Sequence, residues 1–208
     1  MPRDLTFYTH PMSRGRMVRW MLEEVGATYD VEMVSYDGAL KSPAYLAINP
    51  MGKVPAIRHG DAVVTETPAI CAYLADAFPE SGMAPPPEAR AAYYRWLFFA
   101  AGPLEAATWN KIVGFEANPD QEAGLGYGNL DTVLNALEGV LKSNAYIAGE
   151  RFSAADLYIG AHLNLDLNLF KTVDRRPAFV EYTSRLTARE AFKRASALDD
   201  ALAAAQSQ

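Results

Sequence analysis

The 208-residue chain has one cysteine, Cys71. It therefore has no internal disulfide and no C-x-x-C pair, and a thioredoxin-type dithiol mechanism is excluded whatever the fold. A basic excess is also missing. The net charge is −6, and phosphate binding needs a basic face, so no nucleic-acid partner is expected. No apolar run approaches the roughly 20 residues of a membrane span, so no membrane partner is expected either. The start, MPRDLTFYTHP, lacks the apolar core of a secretory signal. Together with the lone thiol this sets the expectation of a cytoplasmic protein. No metal site is expected. What is present is ordinary for a globular chain: 50% apolar and 21% charged residues, in a length that suits one large domain or two small ones.

Periodicity sorts the first half into β-α-β-α-β-β-α. Residues 5–8 read as a strand ended by Thr9-His10-Pro11. Met17, Trp20, Met21 and Val25 then recur at helical spacing, with Gly26 as the stop. Tyr29, Val31 and Met33 alternate with Asp30 and Glu32 as a second strand, and a short helix is placed at residues 44–48. A helix between the first two strands implies a parallel crossover. The expected sheet is mixed and four-stranded.

The most informative stretch is NPMGKVPAIRHGDAVVTETPAI, residues 49–70. Gly60-Asp61 between Ala56-Ile57 and Val63-Val64 reads as a two-residue hairpin turn. Thr67 is placed as the N-cap of the next helix and Pro68 at its first position, where a missing N–H costs nothing. Glu66 and Thr67 thus reach a helix start whose amides and dipole favour an anion. That is a layout for a small zwitterionic peptide.

Residues 79–87, PESGMAPPP, are stiff and turn-rich. They divide a first domain (1–79) from a second (88–208), with 80–87 as linker. In the second half helices are expected at 88–101, at 130–141 and over 177–195, with Gly102-Pro103 kinking or stopping the first of them. Ser153-Ala154-Ala155-Asp156 reads as a capping box. His162 to Leu169 alternates like a strand, yet the upstream cap and the helical surroundings assign it to a helix.

The first helix is charged against its dipole. Arg14, Arg16 and Arg19 crowd its beginning and Glu23 and Glu24 its end. A broken local rule is where a site is worth seeking, and a positive helix start suits an anion.

Phe7-Tyr8, Ser13-Arg14-Gly15-Arg16, Trp20 through Gly26, Lys53-Val54-Pro55 and Glu66-Thr67 together resemble the thioredoxin-like half of the glutathione transferases. A weaker echo lies in Gly149 through Asp156. The resemblance implies a thioredoxin-like α/β N-terminal domain, an all-α C-terminal domain, a homodimer, and glutathione as co-substrate. Ser13 takes the place of the serine that activates the thiol, with Tyr8 and Thr9 as alternative donors. The residue before a cis proline, by position Val54 before Pro55, would offer its backbone to the cysteinyl unit. Glu66 and Thr67 would hold the γ-glutamyl group, and Lys53 a carboxylate. The same resemblance puts a hydrophobic electrophile in a cleft between the domains, and we expect Met12, Tyr94, Phe98 and Trp109 to line it. The implied activity is transfer of glutathione to the electrophile, a detoxification chemistry. The alternatives are peroxide or disulfide reduction on the same fold, or binding without catalysis. His10 is read as a surface or packing histidine, and Cys71 as a packing residue.

Overall fold

The computed structural model describes residues 4–206. Its elements run β1 (Leu5–Thr9), α1 (Gly15–Glu24), β2 (Asp30–Met33), α2 (Pro43–Leu46), β3 (Ala56–His59), β4 (Ala62–Thr65) and α3 (Thr67–Ala77). Then follow α4 (Ala91–Phe99), α5 (Glu105–Ile112), α6 (Pro119–Gly124), α7 (Leu130–Leu141), α8 (Ala154–Asn168), α9 (Pro177–Thr187) and α10 (Glu190–Gln206). The chain separates into two compact units. The first runs to Met83 and takes in the chain from Arg189 onward; the second is Ala84–Ala188.

In the first unit the strand order is β2-β1-β3-β4. β1 pairs parallel with β2 and antiparallel with β3, and β3 pairs antiparallel with β4. The expected mixed four-stranded sheet is present. The central strand β1 carries buried Leu5, Phe7 and Tyr8, whereas every residue of edge strand β2 is exposed. Asp30 and Glu32 on that edge discourage further strand pairing. α1 lays Met17, Val18, Trp20, Met21 and Leu22 into the core. It ends where Gly26 turns to φ 66° and the Ala27 amide donates to the Leu22 carbonyl, the six-to-one bond of a Schellman stop.

The last helix differs from its expected place. α10 was expected to close the second domain, yet it packs antiparallel to α1 in the first unit. The charges of α1 explain the choice. Arg16 pairs with Asp200, Arg19 with Asp199, Glu24 with Arg189 and Glu23 with Arg194. The basic start of α1 meets Asp199 and Asp200 midway along α10 and its acidic end meets Arg189 and Arg194 near the start of α10, so the two sets complement each other when the helices run in opposite directions. The arginines read as an anion site are, for Arg16 and Arg19, the partners of α10.

In the second unit α8 is buried over nearly its whole length. This is why His162 to Leu169 alternates without being a strand: α8 buries polar His162 and Asp166 along with Leu163 and Leu167, so the segment carries no one-faced apolar signature of a 3.6-residue helix. Its capping box is formed, with the Asp156 carboxylate accepting from the Ser153 amide at 3.0 Å. Between α4 and α5 the backbone makes a π turn at Ala100–Leu104 around Pro103, the kink expected from Gly102-Pro103. α6 was not anticipated, because the nearby glycines weighed against a helix. Asn118 with Pro119 behind it and Gln121 three residues on form a complete capping box, a signal that outweighs those glycines. No helix among the described residues is long and apolar enough to cross a membrane.

Candidate functional site

Strand register decides what meets at the sheet's end. Thr9, the last residue of β1, lies opposite Met33, the last of β2. Tyr8 pairs with Ala56 at the start of β3, and Ala56 pairs with Thr65 at the end of β4. The loops leaving these ends carry residues 10–13, residues 53–55, and Glu66 with Thr67. The sheet thus brings the loops that carry Ser13, Val54, Pro55, Glu66 and Thr67 to one end, beside neighbouring strands.

The loop from Thr9 to Ser13 is tied at each carbonyl. Thr9 O accepts from the Val34 amide at 2.9 Å and His10 O from the Ser13 hydroxyl at 2.6 Å. Pro11 O accepts from Arg16 Nε at 2.7 Å. Met12 O takes the Tyr36 hydroxyl at 3.2 Å, and Ser13 O the Arg16 amide at 3.3 Å. The Met12 amide donates to His10 Nδ1 at 3.2 Å, so that nitrogen carries no proton. Burial holds the His10 imidazole below its usual pKa, against a smaller opposing pull from Asp37. The Tyr36 ring lies 4.2 Å from that imidazole. Nothing in the sequence singled out Tyr36, because its partners belong to a different loop.

Ser13 is half-buried at the mouth of α1. Its oxygen accepts from the Gly15 amide at 2.9 Å, so it satisfies one of the helix's orphan donors. Thr9 Oγ1 is fully buried with no hydrogen-bond partner, and it lies against the Gly15 Cα. A Cβ at Gly15 would collide with Thr9 Oγ1 and stand 2.9 Å from Ser13 Oγ. Gly15→Ala is therefore expected to lower stability by about 1–3 kcal/mol through overpacking, read by urea unfolding. Tyr8, at 4% exposure, packs with Val34, Tyr45 and Ala56. Burial first, and Glu32 second, raise its phenol pKa, so it stays neutral.

The second loop is built by Asn49 and Tyr45. Asn49 Nδ2 and the Tyr45 hydroxyl both donate to the Lys53 carbonyl, at 2.8 and 2.7 Å. The Val54–Pro55 peptide is cis. The Lys53 side chain is exposed and Val54 is half-buried.

At the third loop, α3 starts one residue earlier than expected. Glu66 is the N-cap and Thr67 the first helical residue, without a side-chain cap bond. Glu66 sits at φ 68° and ψ 118°, a region costing about 1–3 kcal/mol for a residue with a side chain.

Met12 is 71% exposed. In the second unit Tyr94 and Phe98 stand exposed on one face of α4, one turn apart, while Tyr93 and Trp96 are core. Trp109 is partly exposed and packs on Phe170 at 5.8 Å. Cys71 is wholly buried, which pushes its thiol up to about 12. It packs and does not react.

Comparison with known proteins agrees with the fold. Residues 12–77 match the family model for the glutathione S-transferase N-terminal domain, and residues 104–190 the model for the C-terminal domain. Glutathione S-transferase F10 of Arabidopsis thaliana is 32% identical over 171 residues, covering 76% of this chain and 78% of that protein. Glutathione S-transferase 1 of Schizosaccharomyces pombe is 32% identical over 147 residues, covering 65% of this chain and 64% of its own length. Among solved structures, a glutathione transferase homologue from Sulfitobacter with bound glutathione superposes with a TM-score of 0.72 at 28% identity. The match covers 91% of this chain and 95% of that one.

Proposed function

Since the chain belongs to the glutathione transferase family of enzymes, we propose that it binds glutathione across the end of its sheet and activates the thiol at the start of α1. The observation that carries this is the register. β1 and β4 end two strand spacings apart, roughly 10 Å, which is about the reach of an extended tripeptide. The γ-glutamyl group would lie at Glu66 and Thr67, the cysteinyl backbone at Val54 beside Pro55, and the sulfur by Ser13. Lys53 is placed to meet a carboxylate at the rim.

A free thiol has a pKa of about 8.5, and lowering it by about two units takes roughly 2.7 kcal/mol. One charge-assisted hydrogen bond supplies about 1.5–3 kcal/mol and a helix N-terminus about 0.3–1 kcal/mol. Ser13 and α1 together are sufficient. The hydroxyl has one proton, and it lies on the His10 carbonyl. Activation therefore requires that proton to rotate onto the sulfur while the oxygen keeps the Gly15 amide. Thr9 Oγ1 is too deeply buried to meet a ligand, and the Tyr8 phenol is enclosed by Tyr45 and Val34. These two alternatives are weaker.

The thiolate would attack a hydrophobic electrophile held near the exposed Met12 side chain. Conjugation is the leading reaction, with peroxide or disulfide reduction as the alternative. A cytoplasmic homodimer acting in detoxification is the corresponding setting.

The test is calorimetric titration with glutathione, then steady-state assay of wild type and Ser13→Ala with an aryl halide and with cumene hydroperoxide. Binding is expected in both proteins. Ser13→Ala should lose about 25-fold in kcat/KM at pH 7, the ratio of thiolate for a pKa near 6.5 against one near 8.5. The gap should close above about pH 9, where glutathione ionises unaided. Full activity of Ser13→Ala at pH 7 would remove Ser13 from the role, and absence of binding would discard the reading.

A further inference from the structure

The C-terminal helix reaches the Ser13 loop through the Arg16 side chain. Arg16 Nε donates to the Pro11 carbonyl at 2.7 Å, and its Nη2 donates to Asp200 Oδ1 at 2.6 Å. The Arg16 amide in turn holds the Ser13 carbonyl. One residue therefore supplies two of the donors that tie the loop. We propose that Asp200, on α10, is a positioning residue for the reaction: it orients the Arg16 guanidinium, which clamps Pro11 and so holds Ser13 at the mouth of α1. This rests on the glutathione reading above, since that reading makes Ser13 the activating group.

The geometry separates this role from stability. Asp200 and Arg16 have side chains 67% and 36% exposed, and ion pairs at that exposure add little to folding. The neighbouring Arg19–Asp199 pair, by contrast, is buried, with side chains 2% and 1% exposed. Asp200 thus lies beside a structural pair without being part of the core. An exposed carboxylate that fixes a guanidinium fork on a backbone carbonyl contributes orientation.

The charged groups on the elements meeting at this end are Arg14 before α1, Arg16 and Arg19 on α1, His10 in the first loop, Lys53 in the second, Asp37 after β2, Glu66 before α3, and Asp199 and Asp200 on α10. Deleting the Asp200 carboxylate removes a negative charge near the start of α1. By charge alone that would favour a thiolate and lower the pKa of bound glutathione. Releasing Arg16 acts in the opposite sense, because a loosened loop presents Ser13 to the sulfur for less of the time.

The experiment uses the full chain as wild type, Asp200→Ala and Asp200→Asn. Hydrogen–deuterium exchange by mass spectrometry reads residues 9–16 without ligand, and the thiolate absorbance of the glutathione complex is followed against pH. Asp200→Ala should exchange faster in that segment, and the bound thiol pKa should rise by about one unit, a tenfold fall in the thiolate-to-thiol ratio. Asp200→Asn keeps an acceptor for Nη2, so its exchange should stay near wild type and its bound thiol pKa at or slightly below the wild-type value. Unchanged exchange in Asp200→Ala, a fall in its thiol pKa, or an Asn variant as impaired as the Ala one would overturn the proposal. If wild type fails to bind glutathione, the functional reading falls, and the exchange measurement still decides the role of Asp200.

Discussion

Asp156→Ala is expected to cost about 3–5 kcal/mol of stability, the loss typical of breaking a buried charged network. The carboxylate is wholly buried and has no cation beside it among the described hydrogen bonds. Oδ1 accepts from the Ile147 amide at 2.6 Å and the Tyr182 hydroxyl at 2.8 Å. Oδ2 accepts from the Ser153 amide at 3.0 Å and the Ser153 hydroxyl at 2.9 Å. Burial raises its pKa and these four donors offset part of the rise. One side chain therefore ties the start of α8, the loop before it and α9. Alanine would strand buried donors from all three, at about 1–3 kcal/mol each where no water enters. Urea unfolding followed by circular dichroism measures the loss. A decrease below about 1 kcal/mol would mean that the carboxylate is not what holds α8 in place.

Asp199→Ala should be of similar size, about 3–5 kcal/mol, and for a different reason. It leaves the Arg19 guanidinium buried with its principal counter-charge gone. The pair is made through a single bond, Nε to Oδ1 at 2.8 Å, while Arg19 Nη2 and Asp199 Oδ2 find no hydrogen-bond partner. The guanidinium also contacts the Tyr29 hydroxyl at 3.3 Å and lies 5.2 Å from the Phe7 ring centroid, and neither contact replaces an anion. The contrast is the double variant Arg19→Met with Asp199→Leu. It removes both charges and keeps the volume, and such exchanges are often neutral or stabilising. A thermodynamic cycle over the single and double variants gives the coupling. Independent losses that simply add would show that the pair does not act as a unit.

These effects show where a linear reading succeeds. The order β-α-β-α-β-β-α, the hairpin at Gly60-Asp61, the helix at Leu130–Leu141 and the capping box at Ser153 were all legible. Each is decided within a few residues by alternation, turn chemistry or a cap. The reversed charges of α1 were legible as an anomaly, but the explanation was not. A basic helix start is compatible with a ligand or with another helix, and only the position of Asp199 and Asp200 distinguishes them. The site shows the same division. Ser13, Val54, Pro55, Glu66 and Thr67 could be named from their motifs. Tyr36 and Asn49 could not, because their contribution is a hydrogen bond to a backbone carbonyl elsewhere in the chain.

By itself the amino-acid order determined the local elements, the absence of dithiol chemistry in a chain with one thiol, and the candidate residues at each loop. Tertiary structure decided three further points: that the three loops share one end of the sheet, that α10 joins the first unit, and that the Ser13 proton rests on His10. The reason is physical. Propensity and periodicity act over a few residues, whereas strand register, helix pairing and a hydroxyl's choice of acceptor depend on groups that only folding brings within about 3 Å.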